Sequence, residues 1–154
     1  GLNDRLTVSI PRANKYKIYI GPLTTLNIDN YNRISTTLVR KLRRIVRDYK
    51  YRGFNATVTM DLWEKVRAGE EKYIFPFQDD DDIVFNTSLI YELSVLKPFV
   101  EPLLFSIRED SIHYDEARKL IKFLDNFLDM PADDVPADSL IREFIGGSCF
   151  FKEE

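Results

Sequence analysis

The chain has 154 residues, 44% hydrophobic and 13% aromatic, with 22 Lys and Arg against 25 Asp and Glu for a net charge of −3 at pH 7. That content supplies one core, or a small α/β part with a helical appendage, and excludes an intrinsically disordered chain. The acidic balance argues against general nucleic-acid affinity, the lone Cys149 rules out an internal disulfide, and no apolar run reaches the length of a membrane span, so a cytoplasmic protein is expected.

Residues 1 to 15 hold a short apolar turn around Leu6 and Ile10, then Pro11 and charged positions that lead into a strand expected over 16 to 20. The segment from 21 to 32, with Pro22 and several Asn and Thr residues, reads as a loop. A helix is expected over 36 to 52. Ser35, Thr36 and Thr37 are its N-cap candidates, Gly53 is its stop, and Leu38, Leu42, Ile45, Val46 and Tyr49 form its apolar side. A second helix starts at Phe54 and Asn55 and runs to about Ala68, where Gly69 permits a break before residues 70 to 73. Pro76 excludes its surroundings from a helix interior, and the apolar run 83 to 86 fits a strand buried in a parallel sheet. After Asn86 the composition changes. Leu89, Ile90, Leu93, Leu96, Val100, Leu103 and Leu104 show helical spacing interrupted by Pro98 and Pro102, followed by helices over 114 to 128 and 138 to 144. Gly146 and Gly147 stop the last of these, and no internal repeat is present.

The most informative stretch is residues 40 to 53, RKLRRIVRDYKYRG, with five arginines on one helical segment of an acidic protein. Arg40, Arg43, Arg44 and Arg47 recur at three- and four-residue steps, so their guanidinium groups can converge on one side. The planar, permanently charged fork matches phosphate oxygens two at a time, which points to a small anionic ligand. The bland alternative is a solvated basic face.

This segment resembles the lid of uridine kinases and phosphoribulokinase-like P-loop kinases, in which an Arg, then Arg-Arg-x-x-Arg-Asp, then Arg-Gly follow in order. The likeness continues through a helix holding Met60, Leu62, Trp63 and Val66, the turn at Phe75-Pro76, and Asp82 before the strand Ile83-Val84-Phe85-Asn86. Upstream, Lys17-Ile18-Tyr19-Ile20 fits the strand before the lid. The chain is most similar to bacterial uridine kinase-like nucleoside kinases with long extra C-terminal sequence, where an ending like SLIREFIGGS, residues 139 to 148, is found. The resemblance is strongest from 15 to 92.

The same resemblance implies an α/β class: a partial P-loop kinase-like fold of short parallel strands and lid helices over residues 1 to 86, then a mainly helical extension over 87 to 154. No Gly-rich loop ending in Gly-Lys-Ser/Thr occurs, since the six glycines at 1, 21, 53, 69, 146 and 147 lie outside such a pattern. Gly1-Leu2-Asn3-Asp4 looks like the residues after the second core strand of these kinases. The chain is therefore expected to be a C-terminal piece, inactive alone, with ATP and Mg²⁺ bound by the complete parent and nothing bound tightly here.

For the site, the resemblance implies catalytic roles for Arg44 and Arg47. Arg43, Arg44, Arg47 and Arg52 would contact the ATP phosphates from a mobile lid, and Arg40 would lie near the nucleoside. Asp48 would orient Arg44 or Arg52. Where these enzymes continue from Arg-Gly with Arg-Asp-Leu-Glu, this chain has Phe54-Asn55-Ala56-Thr57-Val58. The reaction class carried over is therefore transfer of the ATP γ-phosphoryl group to a hydroxyl of a nucleoside or similar sugar-containing acceptor, without pyrimidine specificity. The expected partners are nucleotide and nucleoside-like substrate through the missing half, with a homodimer left open and neither nucleic acid nor membrane expected.

Two smaller features read as structural. The run Asp79 to Asp82 lacks ligand spacing and reads as a solvated turn rather than a Mg²⁺ or Ca²⁺ site. His113 has no second His or Cys near it, so a surface or capping role is expected and no metal is assigned. A non-catalytic regulatory or dimerisation module with a kinase-derived fold remains the alternative reading.

Overall fold

The arginine-bearing segment becomes the helix around which the others pack. A computed structural model describes residues 7–76 and 81–150. Helix α1 (Thr36–Arg52) buries Val39, Leu42, Ile45 and Val46, and packs against α2 (Ala56–Tyr73), α3 (Glu92–Phe105) and α5 (Arg142–Ile145). It begins after Ser35, whose carbonyl, not its hydroxyl, accepts from Leu38 and Val39. It ends at Gly53, whose left-handed φ of 65° turns the chain while the amides of Gly53 and Phe54 both donate to the Asp48 carbonyl. Tyr49, expected on the apolar side, is 56% exposed.

Helix α2 is capped by Asn55, which accepts from the Val58 amide at 2.9 Å. It runs unbroken through Gly69, where a helix end was expected. A glycine in a helix costs only about 1 kcal/mol, and continuing the helix carries Glu70 into buried contact with α1. Helix α3 likewise runs through Pro98 and Pro102 instead of being interrupted. Pro98 has no amide to offer Ser94, and the Met130 amide donates to that carbonyl at 3.1 Å instead. Helix α4 (Tyr114–Leu124) packs on α3 and stops four residues short of the expected end, leaving Leu128 88% exposed. Helix α5 ends at Gly146, which has a φ of 93°.

One apolar cluster joins Leu42 and Ile45 of α1 to Leu96 and Val100 of α3, Leu120 and Leu124 of α4, Phe144 of α5 and Ile141 just before it. Strands β1 (Ile18–Gly21) and β2 (Ile83–Asn86) form a parallel pair, Ile18 opposite Ile83 and Ile20 opposite Phe85, connected through α1 and α2. The described residues are thus mixed α/β, with five helices and a two-stranded parallel sheet. Strand β1 starts two residues later than expected. Strand β2, expected to be buried, is exposed at all four positions, because neither a third strand nor a covering helix lies over it among the described residues. The entry to β2 is pinned by Asp82, which accepts from the Lys17 amide at 2.6 Å and from Arg12 at 2.8 Å. Those donors, Arg12 first, hold the Asp82 carboxyl below the usual carboxylate range. Asp79, Asp80, Leu6 and residues 1 to 4 lie outside the described residues.

Candidate anion-binding site

Helical periodicity turns Arg40, Arg43, Arg44 and Arg47 toward α2 and α5, where they line a cleft of about 190 Å³ completed by Pro22, Trp63, Val66, Glu70, Glu143 and Phe144. Their environments differ. Arg43 is 8% exposed and fully engaged: its Nε and one Nη bond the two oxygens of Glu92, at 2.7 Å for the Nη, and it also donates to the Thr87 carbonyl at 2.7 Å and hydroxyl at 3.2 Å. Glu92 also accepts from the Leu89 amide at 3.1 Å, so both partners of this buried pair are satisfied. Arg40 donates from Nε at 2.9 Å, and from an Nη, to a single oxygen of Glu70.

Asp48 is wholly buried and serves three guanidinium groups: Arg52 donates to it at 2.9 Å, Arg44 Nε lies 3.2 Å away, and Arg47 Nε lies 4.0 Å away. The Arg44 and Arg47 Nε atoms and Asp48 Oδ2 are buried and make no well-aligned hydrogen bond, although Arg44 Nε and Asp48 Oδ2 lie 3.2 Å apart. The other acid near Arg47 is Glu143, at 3.6 Å and 48% exposed. Counting charges around this end of α1, three cations face one buried carboxylate and one half-exposed one. The imbalance favours an anion, and the side chains of Arg44 and Arg47, 21% and 32% exposed, are open to receive it.

The structure therefore gathers all four cleft arginines together and sets Arg52 on the far side of Asp48, where its side chain is 47% exposed. Glu70, Glu92, Glu143, Trp63 and Phe144 have no signal in the sequence as site residues, because they reach α1 from 30 residues or more away in the cases of Glu70 and Glu92. His113 sits at the N-cap position of α4 without capping it, and its Nε2 lies 2.7 Å from Asp61 on α2. Among the described residues no group of three or more His, Cys, Asp or Glu is placed to hold a metal, and no helix is long and apolar enough to cross a membrane. No family model, curated protein or solved structure matches the chain.

Proposed function

We propose that this chain is the C-terminal part of an ATP-dependent nucleoside kinase of the uridine kinase and phosphoribulokinase type, and that α1 supplies its phosphate-facing arginines. The observation that carries the reading is the charge imbalance at Asp48: Arg44, Arg47 and Arg52 share one buried carboxylate, and two of their Nε donors have no aligned acceptor. A phosphoryl group would offset the surplus positive charge, and the paired donors of the fork on the partly exposed Arg44 and Arg47 suit its oxygens. In the complete parent, ATP with Mg²⁺ supplies the phosphoryl group to be transferred. Arg44 and Arg47 would neutralise charge developing on it, and Arg40, toward the α2 side, would lie by the acceptor. Arg43 contributes by fixing α1 against α3.

The codons upstream of Gly1 test the reading directly. A Gly-x-x-x-x-Gly-Lys-Ser/Thr motif supports the kinase, and its absence removes it. The 154-residue chain alone should neither bind Mg-ATP tightly nor turn it over, and micromolar affinity with phosphoryl transfer in calorimetry would overturn the fragment reading.

A second reading, a non-catalytic regulatory or dimerisation module, has one observation in its favour. Ile18, Ile20, Ile83 and Phe85 lie on one face of the sheet and are 47 to 63% exposed, a surface that parallel sheets normally cover. Sedimentation separates the two: a dimer lost on Ile20→Lys supports the module.

A further inference from the structure

We infer that Glu70 is a specificity-determining residue of the arginine cleft, and that the cleft takes a phosphate monoester carrying a hydroxyl group about one helical turn from its phosphate. This rests on the anion-binding reading given above. The Glu70 side chain is 5% exposed and stands in the cleft wall. Its Oε1 takes both bonds from Arg40, while its Oε2 is buried and has no hydrogen-bond partner. A buried carboxylate oxygen left unmet is costly, and a hydroxyl is the donor that satisfies it with a short, charge-assisted bond. A fully deprotonated phosphate group cannot do so, because it brings only acceptors to a carboxylate.

The polarity of the cleft fixes the ligand's direction. Arg40 is neutralised by Glu70, so that end is close to uncharged, whereas at the other end Arg44, Arg47 and Arg52 outnumber Asp48 and Glu143 by one positive charge. Arg40 and Arg44 are about one helical turn apart, about 6 Å along the axis, and Arg47 is about 10 Å from Arg40 along it. A phosphate at Arg44 and Arg47 therefore places the second or third carbon of its ester near Glu70. That is the span of a phosphorylated polyol or sugar. Trp63, 5% exposed, lines the same cleft.

The test compares two dianions of equal carbon count, glycerol 3-phosphate and n-propyl phosphate, titrated at constant ionic strength into the chain while arginine Nε–H signals are followed by NMR. Glycerol 3-phosphate should bind about tenfold more tightly, the worth of one hydrogen bond to a charged group. Glu70→Gln keeps an oxygen for Arg40 and places an NH₂ where Oε2 stood. It should abolish the preference without weakening n-propyl phosphate, whereas Arg44→Ala should weaken both ligands. Equal affinities in the wild-type chain overturn the role of Glu70 and leave the anion site standing, a comparison that needs no variant to fold. If neither ligand moves the Arg44 or Arg47 signals, the anion reading falls and this inference with it.

Discussion

Arginines that line one cleft are held in opposite circumstances. Where the cleft reaches the start of α3, Arg43 and Glu92 match each other bond for bond and the Thr87 carbonyl takes what remains. Further along α1, Arg44 and Arg47, with Arg52 beyond the cleft, divide a single buried Asp48 among them. The first arrangement closes on itself and serves folding. The second leaves cations in excess, as the proposed anion site requires. Adjacency in sequence therefore says nothing about which arginine does which, since one residue step on a helix turns the side chain by about 100°.

The sharpest way to break this contrast is to remove Arg43. Arg43→Ala leaves Glu92 buried without its partner and should cost about 3–5 kcal/mol in chemical denaturation, whereas the double change Arg43→Met with Glu92→Leu should recover most of it. If Arg43→Ala melts like the wild-type chain, the pair with Glu92 is not the structural one. In the complete parent enzyme Arg44 and Arg47 should give the reverse result. Arg44→Ala or Arg47→Ala should lower kcat by about 10²-fold or more, the usual cost of about 3 kcal/mol for a donor aimed at developing charge, while stability changes by about 1 kcal/mol or less. Arg→Lys there should rescue only in part, because an ammonium lacks the fork. Wild-type turnover combined with a large fall in melting temperature would make these arginines structural too.

Asp48→Asn sharpens the comparison from the middle. Taking the shared carboxylate's charge away should destabilise the fold by about 3 kcal/mol and at the same time tighten the binding of phosphate-type anions, since three cations then face only the half-exposed Glu143. Loss of both properties together would place Asp48 with ligand binding instead of against it.

How far the sequence reveals this molecule depends on the range of the interaction. The bounds of α1 are legible because Gly53 and the apolar stripe are local signals, and the arginine row is legible because period alone gathers it. Gly69, Pro98 and Pro102 mislead. Each lowers helix propensity by a local cost, which distant contacts offset at Pro98, through the Met130 amide at Ser94, and at Gly69, through the burial of Glu70. The run 83 to 86 has the composition of a buried strand, but composition carries no information on whether neighbouring strands exist. Glu70 and Glu92 escape notice because a lone glutamate carries no mark of the arginine it will meet tens of residues away.

Two smaller measurements check the frame that holds the site. Gly69→Ala should stabilise by about 0.5–1 kcal/mol in thermal denaturation, because α2 is continuous there and an added Cβ would meet nothing within 4 Å. Destabilisation would mean that α2 breaks at that point. Smaller still is the acid sensitivity of the strand pair. Arg12 and the Lys17 amide lower the Asp82 pKa, so their stabilisation is complete above the ordinary carboxylate value and is lost as pH falls through the depressed one. Asp82→Asn should flatten that part of the acid unfolding curve, and an unchanged curve would remove the pin.

Because Leu42 and Ile45 of α1 are wholly buried, the guanidinium groups ride on a helix anchored in the core. A site mounted there is assembled before its ligand comes, so little besides side-chain torsion remains to be ordered on binding. Encounter should then be a single fast step. Its rate should fall as added salt shortens the Debye length to about 8–10 Å, and stopped-flow traces should show no slow phase of helix rearrangement.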